Sequence, residues 1–341
     1  MSSHPSTYRV AVKAADNKVV LETRQWTDPE PGQVIIKTLA CGVCHSDIMS
    51  PVGQIPGHEI VGDVVAVHES EKLWKVGDRV GSGWHGGHCH TCYSCRRGEF
   101  SLCDNEAING LNKAGGYGEY AILRSEGIAR VPRDMSPADA GIMMCAGITV
   151  ANSLRNVDNI RPGDVVLVSG LGGLAHLAIQ FSKKSGYYTV VSSRGTSKKD
   201  LALELGADQY IDSEAQDVVE ELRKLGGAKV IMGLAPSGKA LTKLIPALGK
   251  ESTLLLLAIP DDELMIPALP LIGRRAAVLG WPAGSSIDER HTQLDAEEIT
   301  KFAHQVGIKG YTQEYSLDQV QEAYDAMLNG TVRFRAVLTF K

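Results

Sequence analysis

The segment Cys41-Gly-Val-Cys-His-Ser-Asp47, followed shortly by Gly57-His-Glu59, brings a thiol (Cys44), an imidazole (His58) and several carboxylates close together in the chain. A thiolate and a neutral imidazole are both good zinc ligands, and two or three protein ligands leave a position for a substrate oxygen. A further thiol, Cys145 in Met143-Met-Cys-Ala-Gly-Ile-Thr149, lies far along the chain and could complete a set of two thiolates and one imidazole. Asp47 would then accept the remaining ring N–H of His58 and fix its tautomer. The competing reading is that Cys44 and Cys145 are buried core thiols, as unpaired cysteines often are. Spacing between distant Cys and His residues does not choose between the two.

The run Cys89-x2-Cys92-x2-Cys95-x7-Cys103 is more specific. Four thiolates around Zn2+ form a closed tetrahedral site whose job is structural, and binding would stabilise a polar lobe with few apolar residues of its own. An iron–sulfur cluster or redox-active pairs use the same residue type. His88 and His90 flank these thiols and read as solvated bystanders.

A third constellation begins at Val165-Val-Leu-Val-Ser169, a continuous apolar strand of the kind found in parallel sheets. Gly170-Leu-Gly-Gly-Leu-Ala175 follows and opens a helix, so Gly170, Leu171, Gly172, Gly173 and Leu174 form a dinucleotide-binding loop of the G-x-G-x-x-A type. Its first glycine permits the tight turn, its second lets the backbone approach a pyrophosphate, and the helix start supplies N–H groups. An acid about 20 residues on would accept the ribose 2′-OH of NAD. Here that strand end reads Val191-Ser192-Ser193-Arg194, and no acid occurs before Asp200. A hydroxyl followed by Arg194, with Lys198 and Lys199 in reach, suits a 2′-phosphate, because the Arg fork donates two hydrogen bonds at once. The expectation is NADP(H) over NAD(H), against the alternative that these charges form an ordinary solvated helix start.

The intervening elements follow from pattern. Short β-rich runs broken by Pro and Gly (Val34–Ala40, His58–Val67, Gly77–Val80, Tyr117–Leu123, Gly127–Pro132) predict a small irregular β-barrel, with Cys41–Asp47 as a loop after the first of them. Ser136 and Pro137 mark a helix start, with Cys145 near its end. Beyond Ser169, strands at Tyr188–Ser193, Gln209–Ile211, Lys229–Gly233, Thr253–Ile259 and Ala276–Gly280 alternate with helices, which predicts a doubly wound sheet. Helices at Ala296–Val306 and Leu317–Leu328 precede a last strand, Val332–Phe340, expected to return to the first domain.

The 341 residues suffice for two domains, and 43% hydrophobic with 22% charged residues is ordinary for a globular chain. A net charge of −5 gives no basic footprint for nucleic acid or anionic membrane. The start has no apolar leader, and the longest apolar run, Leu254–Ile259, is too short for a bilayer. Seven cysteines, four of them within fifteen residues, do not form a secreted disulfide pattern, so a reducing cytoplasm is expected.

Through Cys44-His-Ser-Asp47, Gly57-His-Glu59, the four-cysteine lobe, Cys145-Ala-Gly-Ile-Thr149 and Gly170-Leu-Gly-Gly-Leu174, the chain from Tyr8 to Phe340 resembles the zinc-dependent medium-chain alcohol dehydrogenases. The resemblance implies a GroES-like β-barrel catalytic domain over 1–153 and 287–341 and a Rossmann domain over 154–286. It implies that Cys44, His58 and Cys145 hold a catalytic zinc, with Glu59 as an exchanging ligand, while Cys89, Cys92, Cys95 and Cys103 hold a second, structural zinc. Ser46 would pass the alcohol proton outward, His45 and Arg335 would face the cofactor phosphates, and Thr149 the nicotinamide. Trp84 would line the substrate pocket, unless it is a core tryptophan; Cys41 has no role beyond packing. The NADP-dependent cinnamyl-alcohol-dehydrogenase-like branch carries comparable serines near a lysine, matching Ser192, Ser193 and Lys198. The implied activity is hydride transfer between NADP(H) and a primary alcohol or aldehyde, or a ketone, in a homodimer or homotetramer.

One stretch departs from that pattern. Ile48–Pro56 is short and contains no histidine, where many relatives carry the outer end of a proton relay. Reductases of activated C=C bonds largely lack such zinc ligands, whereas a C=N reductase would tolerate the short loop. A non-catalytic cofactor-binding protein is the alternative from another class.

Overall fold

A computed structural model describes residues 4–283 and 295–341. The expected domain boundary at 286/287 falls outside the described residues. The chain forms two compact units, Met1–Ile148 with Ala283–Lys341, and Thr149–Pro282.

The first unit is organised on the strand Gln33–Val43, which pairs with three others. Its Val34–Cys41 stretch runs antiparallel to Ile60–Val67, its first half to Tyr120–Arg124, and its Ala40–Val43 end to the C-terminal strand Arg335–Thr339. The last strand thus lies in this unit, as its β-branched and aromatic composition suggests. Inward side chains Val34, Ile36, Ile60, Val64, Val80, Leu123 and Leu338 form a core closed by Tyr117 and Tyr324, all nearly without exposure. A central strand buried on both faces explains why the run reads as continuous apolar residues without alternation.

Two differences from pattern matter here. The strand continues through Val43, so the loop begins only at Cys44, where a 3-10 turn spans His45–Met49. The helix Pro137–Ile142 starts as expected, with Ser136 Oγ accepting from the Asp139 amide, but it then widens into a π-helical turn over Met143–Gly147. Such turns carry no sequence signature and recur at functional sites.

The second unit holds a six-stranded parallel sheet in the order Gln209–Asp212, Tyr188–Ser193, Val165–Ser169, Ala228–Gly233, Leu248–Leu256, Ala277–Gly280. This is the strand order of dinucleotide-binding sheets, reversing direction of growth beside Val165–Ser169. Leu167, Val190, Ile211, Ile231 and Leu254 form its core. The fifth strand begins earlier than the apolar run suggests, because Leu248 pairs with Ala228 before the polar Gly249–Ser252 stretch interrupts the register, which resumes at Thr253 opposite Val230. It ends at Leu256, and Ile259 is exposed.

Candidate active site

Strand register assembles the first site. Cys41 pairs with Ile60, and the Gly42 amide donates to Glu59 O at 3.0 Å, so the residues just past each strand end meet across the ladder. Val43 pairs with Ala336, which sets Arg335 beside Cys44. The π-helical turn delivers Cys145 to the same place, seated closely because Gly141 has no side chain to keep it off the Glu59 carbonyl. One donor atom each from Cys44, His58, Glu59 and Cys145 then lies within 4.8 Å of the others. A side chain at Gly42 would collide with the Glu59 carboxylate, so that close approach also requires glycine.

This cluster is buried: His58 and Glu59 have no exposure and Cys44 is 6% exposed. His58 Nε2 has no protein hydrogen-bond partner, while its Nδ1 lies 3.0 Å from Asp47 Oδ1. An imidazole with one nitrogen held by a carboxylate and the other turned toward two thiols is the arrangement of a metal-bound histidine. Two thiols, an imidazole and a carboxylate suit zinc.

The charges point the same way. Cys44 is held well below the usual thiol range, first by the hydrogen bond from Cys145, then by Arg335 and His58 acting against burial. Cys145 is pushed well up by that same bond and by burial. Burial pulls His58 down, but Asp47 and Cys44 outweigh it and raise it. Burial raises Glu59 to about 8 against the pull of Arg335, whose Nη2 lies 3.0 Å from Glu59 Oε1. Arg335 is only 5% exposed, and its guanidinium lies against Glu59 inside the cluster.

Around the cluster, His45 is exposed and Ser46 half-exposed, while Asp47 is fully buried. Trp84 meets the His58 ring edge-on at 5.1 Å and is half-buried, so it is a wall of this site and not a core tryptophan. Its segment is fixed by Asn109, whose Nδ2 donates to Ser82 Oγ and Gly83 O at 2.8 Å. The short loop is pinned as well: Gly53 N donates to Lys13 O, Lys13 N to Gln54 O, and Ser50 Oγ to Gly110 O. Cys41 is a fully buried core thiol raised by burial, as expected.

The second metal-type cluster is the four-thiol lobe, with Cys89, Cys92, Cys95 and Cys103 Sγ within 4.8 Å of one another. Backbone amides point at the sulfurs: Cys92 N to Cys89 Sγ at 3.3 Å, Cys95 N to Cys92 Sγ at 3.4 Å, Asn105 N to Cys103 Sγ at 3.3 Å. Donors aimed at sulfur stabilise thiolates, which fits a bound cation. His90 is exposed as expected, but His88 is not a solvated bystander. It is 1% exposed, stacks on Phe100 at 3.8 Å and shares a hydrogen bond with His85, whose Nδ1 is bound to Glu106 at 2.7 Å. A flat apolar-faced ring is what a lobe with so few aliphatic residues can stack.

In the second unit, Gly170 adopts φ +94° and donates to Ser192 O at 2.7 Å, which turns the chain between strand and helix. A Cβ at Gly172 would meet nothing within 4 Å, so backbone there opens onto space a phosphate could fill. The helix itself runs from Ala175 to Lys184. Leu171 is buried, while Gly172, Gly173 and Leu174 are half-exposed. Lys198 Nζ donates to Leu171 O at 2.9 Å, holding its ammonium at the glycine loop; Ser192 is buried, Ser193 half-exposed and Arg194 exposed. Thr149 is buried in the helix Ile148–Arg155. These residues fit a dinucleotide.

Comparison with known proteins gives the family. A model of the alcohol dehydrogenase GroES-like domain matches residues 30–133, and one of the zinc-binding dehydrogenase domain matches 173–300. The chain is 43% identical over 345 aligned positions to the alcohol dehydrogenase notN of Aspergillus sp. (strain MF297-2), with 99% of each chain covered. The chain belongs to the zinc-type medium-chain alcohol dehydrogenase family. It is also 42% identical to the alcohol dehydrogenase patD of Penicillium expansum over 99% of both. Among solved structures, a cinnamyl alcohol dehydrogenase from Sorghum bicolor superposes with a TM-score of 0.87 at 26% identity, covering 98% of this chain and 97% of that one. No helix among the described residues is long and apolar enough to cross a membrane.

What sequence reasoning missed is chiefly the partner of each site residue. The Arg335–Glu59 pair and the bond from Tyr117 Oη to Asp47 Oδ2 (2.8 Å) span long stretches of chain. The one available signal was chemical: a buried Tyr hydroxyl needs a partner.

Proposed function

We propose that the chain is an NADP(H)-preferring alcohol dehydrogenase and aldehyde or ketone reductase that binds two zinc ions, one catalytic and one structural. The observation that carries the reading is the cluster of Cys44, His58, Glu59 and Cys145, whose ligand atoms lie within 4.8 Å of one another. Cys44, His58 and Cys145 would hold the catalytic zinc, with Glu59 as the exchanging ligand, and Arg335, the counter-ion of Glu59, remains the proposed phosphate contact. Bound there, zinc supplies Lewis acidity to the substrate oxygen. The nicotinamide supplies or accepts the hydride.

The chain's own residues do the rest. Asp47 fixes the His58 tautomer, and Trp84 walls the substrate side of the imidazole. Ser46, half-exposed on the turn after Cys44, moves the hydroxyl proton toward solvent; with no histidine in 48–56, water receives it. Residues 1–148 with 283–341 carry this chemistry. In 149–282, the Gly170–Leu174 loop takes the pyrophosphate, Thr149 lies toward the nicotinamide, and Ser193, Arg194 and Lys198 take the 2′-phosphate. His45 remains a phosphate contact, consistent with its exposure.

A second copy of the chain completes the sheet of the second unit. Ala277–Gly280 is the edge strand, paired with Leu248–Leu256 on one side and with no strand on the other among the described residues, and Met265, Leu269, Ile272 and Leu279 are exposed. An open apolar edge is self-complementary about a two-fold axis. The test of function is a screen of alcohols, aldehydes and ketones with both cofactors. Alcohol-dependent reduction of NADP+ that stops when metal is removed supports the reading; cofactor binding without turnover on any of them would leave only a binding protein.

A further inference from the structure

Asp47 is the joint between two elements of the candidate metal centre. Its Oδ2 accepts from the Cys44 amide at 2.8 Å, and its Oδ1 lies 3.0 Å from His58 Nδ1 and accepts from the Gly57 amide at 3.3 Å. One carboxylate therefore sets both the thiol-bearing turn and the imidazole. The remaining partner comes from a distant segment: Tyr117 Oη donates to Asp47 Oδ2 at 2.8 Å. Tyr117 has no exposure, and its ring lies in the core among Cys41, Ile60 and Leu123. The ring also fills the space next to Gly57, where φ is +101° and any Cβ would strike the ring and Cys41 Sγ. The same tyrosine thus supports the residue preceding His58 with its face and the carboxylate behind His58 with its hydroxyl.

We infer that Tyr117 is a positioning residue for the catalytic metal, holding Asp47 so that His58 and Cys44 keep their ligating geometry. Without the hydroxyl, Asp47 Oδ2 keeps only the Cys44 amide and Oδ1 the longer bond from the Gly57 amide, so the buried carboxylate is held less firmly against the imidazole. The nearest cation, Lys13, does not replace it, because its ammonium is bound to Tyr324 Oη and to Asn17 Oδ1. Groups that orient a ligating histidine from behind typically alter metal affinity 10- to 100-fold, roughly, when removed.

The inference rests on the metal reading above, and the experiment separates the two. Protein is loaded with Co2+, and release to a chelator is followed by the thiolate-to-cobalt absorption for wild type and Tyr117→Phe. The Phe variant keeps the ring that packs on Gly57, and the four-thiol lobe serves as an internal reference. The expected result is release from the Cys44–His58–Cys145 site accelerated about 10-fold or more, with release from the lobe unchanged. Tyr324→Phe, whose hydroxyl meets Lys13 and not Asp47, should release at the wild-type rate. Equal release from wild type and Tyr117→Phe would overturn the inference alone. A wild type that takes up cobalt only at the lobe would overturn the metal reading and this inference with it. Equal acceleration at both sites would show general loosening, and that also overturns it. Tyr117→Leu, which removes ring and hydroxyl, should release at least as fast as Tyr117→Phe, and slower release than from Tyr117→Phe would overturn the inference.

Discussion

Replacing Ser193 with Asp and Arg194 with Ser should convert the cofactor preference, and the size of the effect follows from the local geometry. Ser193 ends its strand half-exposed, Arg194 is exposed, and Lys198 is held at the glycine loop by its bond to Leu171 O at 2.9 Å. Asp212 stands opposite Ser193 in the sheet, but its Oδ1 accepts from the amides of Gly195 (2.8 Å) and Glu214 (3.0 Å). That acid serves the turn, leaving the loop's outer face cationic. Losing the Arg194 contacts to a phosphate removes about 1.5–3 kcal/mol. A carboxylate introduced a few ångströms from the phosphate adds a repulsion of about 1–4 kcal/mol, smaller in high salt. Together these lower kcat/KM for NADPH roughly 10²- to 10⁵-fold, at 1.4 kcal/mol per decade. NADH should gain severalfold from one new hydrogen bond to its ribose, worth about 1 kcal/mol. The assay is kcat/KM for both reduced cofactors with one aldehyde at two ionic strengths, and the wild-type preference should weaken as salt rises. Tighter use of NADH than NADPH by the unmodified protein would refute the reasoning.

Three further outcomes are expected. Ser46→Ala should slow turnover about 10²-fold or more with cofactor binding retained; a pH-rate profile identical to wild type would remove this hydroxyl from the proton path. Cys103→Ala should cost the lobe its metal and expose residues near 89–103 to limited proteolysis, because few aliphatic side chains hold it; unaltered protease resistance would mean the lobe does not need metal. Burial, with help from His85, His90 and Arg124, lowers His88 to about 3, so it is neutral when folded and protonates near 6.5 when unfolded. The stability this contributes is whole above pH 6.5 and is lost as pH falls toward 3, at most about 1.4 kcal/mol per pH unit. His88→Phe, which keeps a ring against Phe100, should flatten that slope between pH 6.5 and 5 in denaturant unfolding; parallel slopes would count against it.

How legible the molecule was depended on whether information was local. The glycine loop, the four-thiol spacing, the Ser136–Pro137 helix start and the parallel strand alternation are short-range patterns, and the structure contains each of them. Ligand types were legible for the same reason. Their convergence was not: it depends on the register pairing Cys41 with Ile60 and Val43 with Ala336, which no local pattern carries. The ion pair of Arg335 with Glu59 was not legible, because the ladder that brings this late arginine to the cluster is set by register. His88 was misjudged because a polar Gly-rich loop looks solvated, whereas Phe100 lies further along and covers it. The strand Leu248–Leu256 began early because Leu248 pairs with Ala228 ahead of the irregular, polar Gly249–Ser252 stretch, which reads as a break in the pattern.

Metal content measured together with turnover tests the central claim most directly. Elemental analysis of active protein should give two zinc ions per chain. Cys145→Ala should retain one zinc, at the four-thiol lobe, keep its fold by circular dichroism, and lose alcohol-dependent reduction of NADP+. Full turnover in Cys145→Ala, or full activity in wild type carrying a single zinc, would contradict the assignment of Cys44, His58 and Cys145 as the catalytic centre.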